Sequence, residues 1–206
     1  LAVGGQMVTV RGLAATYRDE YLPQYGRHQA DNAALAIAAV ESFIGGGTQP
    51  IAGDILAQGL AEATSPGRLQ LVGIAPTVIV DAAHNPHGAR ALAAALGEFF
   101  DFDEWALVLG VLGDKDAEGI IDALAPVITR VFTTQPESPR ASDAETLADL
   151  IELRGVVVSA HPASDDAMDT ARRWAAEADR RAVLIAGSVV LAGEAIAYAE
   201  SEGWKA

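Results

Sequence analysis

The sequence predicts an α/β fold: a Rossmann-like, mostly parallel sheet with flanking helices on both faces, preceded by a smaller region of different character. Three observations carry this. From residue 69 onward, short apolar runs alternate with helical stretches, which is how strand–helix–strand crossovers read. Those runs are rich in Val, Ile and Leu and barely alternate with polar residues, as strands covered on both faces do. Before residue 63 the order is instead strand, strand, long helix, short helix.

The elements follow in order. MVTV (7–10) reads as a strand, and DEYLP (19–23) holds a second. QADNAALAIAAVESFIG (29–45) is an Ala- and Leu-rich helix, with Asp31 or His28 as its cap and the glycines from Gly45 as its stop. GGGTQP (45–50) is a loop, residues 51–62 form a shorter helix, and SPGR (65–68) is a turn built on Pro and Gly. LQLV (69–72) and PTVIV (76–80) are strands, and a helix covers 86–100. WALVLG (105–110), ITRVFTT (128–134), VVVS (156–159) and AVLIAG (182–187) are further strands. Helices separate and follow them at 116–125, 142–153, 164–178 (with a capping signal) and 189–200. The change of character divides the chain into residues 1–62, a linker at 63–68, and residues 69–206.

Composition narrows the function. Half of the 206 residues are apolar, enough to bury a core. Against 28 Asp and Glu stand 14 Lys and Arg, a formal charge of −14. General nucleic-acid binding needs clustered cations and is excluded; a small anion held by backbone amides and one or two arginines is not. The absence of cysteine removes disulfides, thiolate nucleophiles and sulfur-bound zinc. No apolar run reaches the length of a membrane span, and no signal-peptide pattern is present, so a cytoplasmic protein without membrane contact is expected. The chain opens at Leu1 and not Met, which suits a mature terminus, a trimmed chain or a piece of something longer.

Ligands of open parallel sheets bind beyond the carboxyl ends of the strands, and three such ends are well furnished. After PTVIV come Asp81, His84, Asn85 and Pro86. Asn85 and Pro86 fit the cap and first position of a helix. Asp81 and His84 either satisfy turn backbone groups, or present a carboxylate to a ligand hydroxyl and an imidazole to a phosphate or carboxylate. After WALVL, GVLGDKD (110–116) turns tightly and projects Asp114, Lys115 and Asp116; it lacks the G-x-x-x-x-G-K-[ST] pattern of a P-loop. After AVLI, Ser188 stands where a helix begins, as an N-cap or as a ligand hydroxyl on the same side as Asp81. Upstream, His28 and Asn32 share one helix face, and the donor and acceptor of Asn32 match a purine edge. Arg68, in SPGR, is either an exposed turn residue or a bridge to a bound phosphate. No Ser-His-Asp spacing and no H-E-x-x-H motif stands out.

Taken in sequence, GRHQADNAALAIAAVE, SPGRLQ, PTVIVDAAHNPHGARAL, VLGDKD, SPRASD and AGSVVLAGE resemble the folylpolyglutamate synthase / dihydrofolate synthase family, within the Mur ligase superfamily of ATP-dependent amide ligases. The likeness spans nearly the whole chain. It implies joining of a pteroate or folate carboxylate to the amine of L-glutamate, through an acyl phosphate made with ATP and Mg2+. It implies that residues 1–62 are the end of a central P-loop ATPase domain and residues 69–206 a C-terminal Rossmann-like glutamate-ligase domain. By the same resemblance Asn32 contacts adenine, Arg68 the nucleotide phosphates, and Asp81 the ribose hydroxyls. His84 lies near the transferred phosphoryl group and the incoming glutamate, and Ser188 helps hold that glutamate.

One departure stands out. The P-loop, the carboxylates expected to hold Mg2+, the carbamylated lysine and the pterin-binding residues have no counterpart here. The resemblance therefore implies that this polypeptide is inactive alone and that its partner is the missing N-terminal portion of the same enzyme, the whole being a monomer. Two other readings stay open: a peptidoglycan-type Mur ligase, and a non-catalytic nucleotide-binding module. DAAHNP and GSVVLAGE favour the folate branch, because the peptidoglycan enzymes usually carry lysine near the position of His84.

Overall fold

A computed structural model describes residues 4–204. The chain forms two compact units, one ending at Pro66 and the other beginning at Gly67.

In the first unit, β1 (Gln6–Arg11) pairs antiparallel with β2 (Thr16–Leu22), followed by α1 (Arg27–Gly45) and α2 (Gly53–Ala61). β1 alternates buried and exposed residues, so one face of the ribbon is core and the other is not. Val8, Val10, Tyr17 and Leu22 pack with Ala33 and Ile37 of α1 and with Leu56 and Leu60 of α2. Neither His28 nor Asp31 caps α1. The cap position belongs to Gly26, at φ 97°, with no side-chain bond, and both expected caps lie inside the helix. The reason is tertiary: the Gly26 carbonyl accepts from Gln29 N–H and from the buried Gln6 side chain, a start that glycine's free φ makes accessible. Along α1, Ala33, Ile37 and Glu41 face inward, while Leu35, Val40, Phe43 and Ile44 are apolar and exposed.

The second unit holds β3 (Gln70–Ile74), β4 (Thr77–Val80), α3 (Pro86–Phe99), β5 (Glu104–Leu109), α4 (Ala117–Leu124), β6 (Arg130–Thr134), α5 (Ala144–Glu152), β7 (Val157–His161), α6 (Ser164–Ala176), β8 (Arg181–Ala186) and α7 (Val189–Ser201). The sheet order is β3-β4-β8-β5-β6-β7. All pairings are parallel except β3–β4, a hairpin that closes one edge. The expected class is therefore observed, as a mostly parallel mixed sheet.

Both faces are covered. Val78, Val80, Ala106, Val108, Phe132, Val183 and Ile185 pack under α6 and α7. The alternate residues Leu107, Leu109 and Val131 meet Ile121 and Leu124 of α4 and Ile151 of α5, and α3 packs beside α4. Each fully buried Leu, Ile or Val contributes about 1.5–3 kcal/mol, which is why these strands show no polar alternation. The capping signal expected before α6 is absent: Ala163 holds the cap position and makes no side-chain bond, and Ser164 is already helical. Asp165 and Asp166 in the first turn oppose the helix dipole instead.

Sheet order also positions a crevice. β8 lies between β4 and β5, and the chain leaves β8 for α7 on one face. It leaves β5 for α4 on the other face, where α3, which follows β4, packs as well. Connections diverging from adjacent parallel strands open a cleft at their carboxyl ends.

Candidate active site at the carboxyl ends of β4, β8 and β5

Three loops meet at this edge and are stitched together by backbone bonds. Gly187 N–H donates to Ala83 O at 3.0 Å, joining the loop after β8 to the loop after β4. Gly110 N–H donates to Ala186 O at 3.3 Å, joining β5 to β8. Gly187 has φ 113°, and a Cβ there would stand 2.7 Å from Gly110 O. Only glycine fits both the backbone conformation and the approach.

Asp81 continues β4 and is 5% exposed. Its Oδ2 accepts from Leu69 N–H at 2.9 Å and its Oδ1 from Ala83 N–H at 2.8 Å. The structural alternative for this carboxylate, satisfying turn backbone groups, is thus present in full. His84 directs Nδ1 to Ala82 O at 2.9 Å. A carbonyl only accepts, so Nδ1 carries the proton and Nε2 is left to accept when neutral or donate when charged. Asn85 caps α3 by accepting from Gly88 N–H at 2.8 Å, with Pro86 in the first turn, as the sequence predicts. Ser188, 1% exposed, caps α7 by accepting from Leu191 N–H at 3.0 Å, and its own hydroxyl proton stays available.

Arg68 is exposed and makes no ion pair among the described residues, while its neighbours Gly67 and Leu69 are buried. Leu69 does not start a strand as expected. It sits at φ 45°, a left-handed conformation that costs a non-glycine residue about 1 kcal/mol or more. Arg68, Asp81, His84 and Ser188 all belong to the second unit. Asn32 belongs to the first, on the exposed side of α1, where its Nδ2 donates to Gln29 Oε1 at 3.1 Å.

The loop after β5 adds charge at the same edge. Asp116 caps α4 through Gly119 N–H, 2.9 Å. Asp114 pairs with Lys115 at 2.9 Å and with Arg140 at 3.6 Å. The Lys115 hydrogen bond is the first cause that holds the Asp114 carboxyl below its ordinary range. Arg140 is a residue that reading by local pattern missed. Leu112 bridges Ala141, and Gly113 N–H donates to Arg140 O at 2.7 Å, so the loop after β6 is fastened to the loop after β5. The one sequence signal for it was its place in SPRASD. Among the described residues no cluster of His, Asp or Glu is grouped to hold a metal ion, and no helix is long and apolar enough to cross a membrane.

A family model described as "Mur ligase, glutamate ligase domain" matches residues 67–189. The chain is 46% identical, over 209 aligned residues, to the dihydrofolate synthase/folylpolyglutamate synthase of Mycobacterium tuberculosis, spanning 95% of this chain and 43% of that protein. A solved folylpolyglutamate synthase of M. tuberculosis, complexed with ADP, superposes with a TM-score of 0.91 at 46% identity, covering 96% of this chain and 46% of that one. A bifunctional folylpolyglutamate synthase/dihydrofolate synthase of Yersinia pestis, complexed with AMPPNP and a Mn ion, gives 0.74 at 27% identity, covering 89% of this chain and 41% of that one. The chain thus spans less than half the length of these relatives.

Proposed function

The chain belongs to the Mur ligase family through its glutamate ligase domain, and from that premise we propose that it is the glutamate-adding part of an ATP-dependent folylpolyglutamate synthase / dihydrofolate synthase. The observation that carries this is the convergence of three adjacent strand ends on one edge, where an exposed arginine, an imidazole with a bare Nε2 and a buried serine hydroxyl gather.

The donor set suits an anionic, phosphorylated ligand. ATP supplies the phosphoryl group that turns a poor carboxylate electrophile into a good one. Arg68 holds phosphate charge, Asp81 faces the ribose, and Asn32 reads the adenine edge. In its charged form His84 donates from Nε2 to oxygens on which negative charge develops, while its Nδ1–H bond to Ala82 O keeps the ring oriented. Ser188 donates its hydroxyl to glutamate. Lys115 and Arg140, both held by Asp114, offer cations for the carboxylates of the incoming amino acid. An amine nucleophile needs placement more than activation, so no triad is required. The P-loop, the ligands for Mg2+ and the pterin site belong, on this reading, to the remainder of the same enzyme, of which residues 1–62 are the ATPase-domain tail. That whole enzyme is a cytoplasmic monomer. Val40 and Phe43, exposed and three residues apart on α1, support a missing neighbour, because grouped exposed apolar side chains mark a contact surface.

The test is glutamate-dependent ADP release, measured with dihydropteroate and with tetrahydrofolate. The expected result is none from this chain alone and turnover once it is joined to a P-loop region. Equal ADP release with and without glutamate in the joined enzyme sinks the proposal. The two acceptors together separate dihydrofolate synthesis from chain extension.

A further inference from the structure

We propose that Asp81 is a positioning residue for Arg68, beyond any contact it makes with the nucleotide; the proposal rests on the nucleotide reading given above. Arg68 stands between two residues that are each tied to the end of β4. Ala82 N–H donates to Gly67 O at 2.7 Å, and Leu69 N–H donates to Asp81 Oδ2 at 2.9 Å. Gly67 is tied a second time, through its N–H to Gln70 Oε1 at 2.9 Å. Gly67 and Leu69 are buried and Arg68 is exposed, so the turn is anchored on both sides and displays only the guanidinium-bearing residue.

The backbone of this turn is not one that the chain adopts by default. Gly67 has φ 68° and Leu69 has φ 45°. Leucine disfavours that region, and a hydrogen bond to a charged acceptor is the kind of contact that offsets it. The acceptor is itself immobilised, because the other Asp81 oxygen binds Ala83 N–H at 2.8 Å. One carboxylate therefore fixes the turn that carries Arg68 and the segment that leads to His84. An arginine on a backbone held in this way loses less freedom when it binds a phosphate. Replacing Asp81 by Asn keeps the shape but turns one of the two acceptors into an NH2 group facing an amide donor.

The experiment has two arms. In this chain, amide hydrogen exchange compares wild type with Asp81→Asn. Positioning predicts about tenfold faster exchange at Leu69, with the amides of β8 unchanged; protection at Leu69 that stays the same overturns it. In the complete ligase, KM is measured for ATP and for 2′,3′-dideoxy-ATP. The expected result is that Asp81→Asn raises the KM for 2′,3′-dideoxy-ATP about tenfold and that for ATP at least as much, with a smaller change in kcat, and that with the dideoxy nucleotide it adds nothing to Arg68→Ala in the double variant. A loss confined to ATP marks a ribose contact alone and overturns the proposal, as does a double variant in which the two losses multiply. Gly67→Ala gives a second route to the same answer, because it leaves Asp81 and the ribose untouched while placing a Cβ at φ 68°. It is expected to reproduce the loss with both nucleotides, and Gly67→Asn, whose side chain tolerates that conformation, to restore most of it. Wild-type affinity in Gly67→Ala overturns the proposal. Should the wild-type ligase fail to add glutamate at all, the functional reading falls, and the exchange arm still decides whether Asp81 holds the turn.

Discussion

His84 is oriented by one bond, from Nδ1–H to Ala82 O, which leaves Nε2 for the proposed contact with the ligand. His84→Ala in the complete enzyme is expected to lower kcat about a hundredfold, the usual effect of deleting one donor to developing charge. Steady-state ADP release measures it, and a change within about twofold rules that role out. Gly187 works oppositely, by what it lacks. Gly187→Ala introduces a Cβ 2.7 Å from Gly110 O at φ 113°, and should destabilise the chain by about 1–3 kcal/mol in urea unfolding. At this scale the sequence was legible wherever a polar residue ends an apolar strand, as at Asp81, Asn85 and Ser188. It was illegible at Leu69 and Arg140. Their positions depend on bonds to Asp81, twelve residues away, and on a bridge between two loops, which no local pattern encodes.

Among the elements, the β1–β2 turn, α1 and the approach to α2 are joined by one buried acid. Glu41 is fully buried on α1; it accepts from the Tyr17 hydroxyl at 2.7 Å and from Leu13 N–H, and Tyr17 in turn accepts from Ile51 N–H at 2.8 Å. Burial alone would raise the Glu41 pKa. Hydrogen bonds from Tyr17 and from the Leu13, Ala14 and Ala15 amides outweigh it, and the pKa is lowered. A carboxyl whose pKa is lower folded than unfolded stabilises above its unfolded value and loses that contribution as pH falls through the folded one. Glu41→Gln, which sets an NH2 against these donors, should therefore lower the Tm most at neutral pH, with the gap to wild type narrowing below about pH 4. Melting curves across that range check it, and a gap that widens in acid contradicts the assignment. The positions of most helices and strands were legible from apolar periodicity, because burial on both faces writes itself into composition. The caps of α1 and α6 were not. The first is set by the Gly26 carbonyl meeting Gln6, twenty residues away, and the second is left to backbone groups.

Over the whole molecule, the proposal that the chain is part of a larger enzyme is most directly tested on the exposed apolar residues of α1. Phe43 is 91% exposed. Phe43→Glu should change the stability of this chain by no more than about 0.5 kcal/mol, as surface substitutions do, yet sharply lower the activity of the complete ligase. Full activity in that variant would argue against a neighbour on this side of α1. The fold class was legible at this scale because repeated strand–helix alternation admits few architectures. The pairing of Arg140 with the loop after β5 was not, because it is a property of sheet order. That order also bears on how such an enzyme changes over generations. The loops after β4, β8 and β5 share backbone bonds through Gly187 and Gly110, so an insertion in one would displace its neighbours. The stretch after β6, residues 135–143, is longer; it is held to the loop after β5 near Leu112 and Ala141, and to α7 through Glu137 N–H and Glu194 Oε1. On the proposed function, new preferences for the amino acid that is added are thus expected to arise by lengthening and rewriting that stretch, which carries Arg140, while the three stitched loops are inherited as a single part.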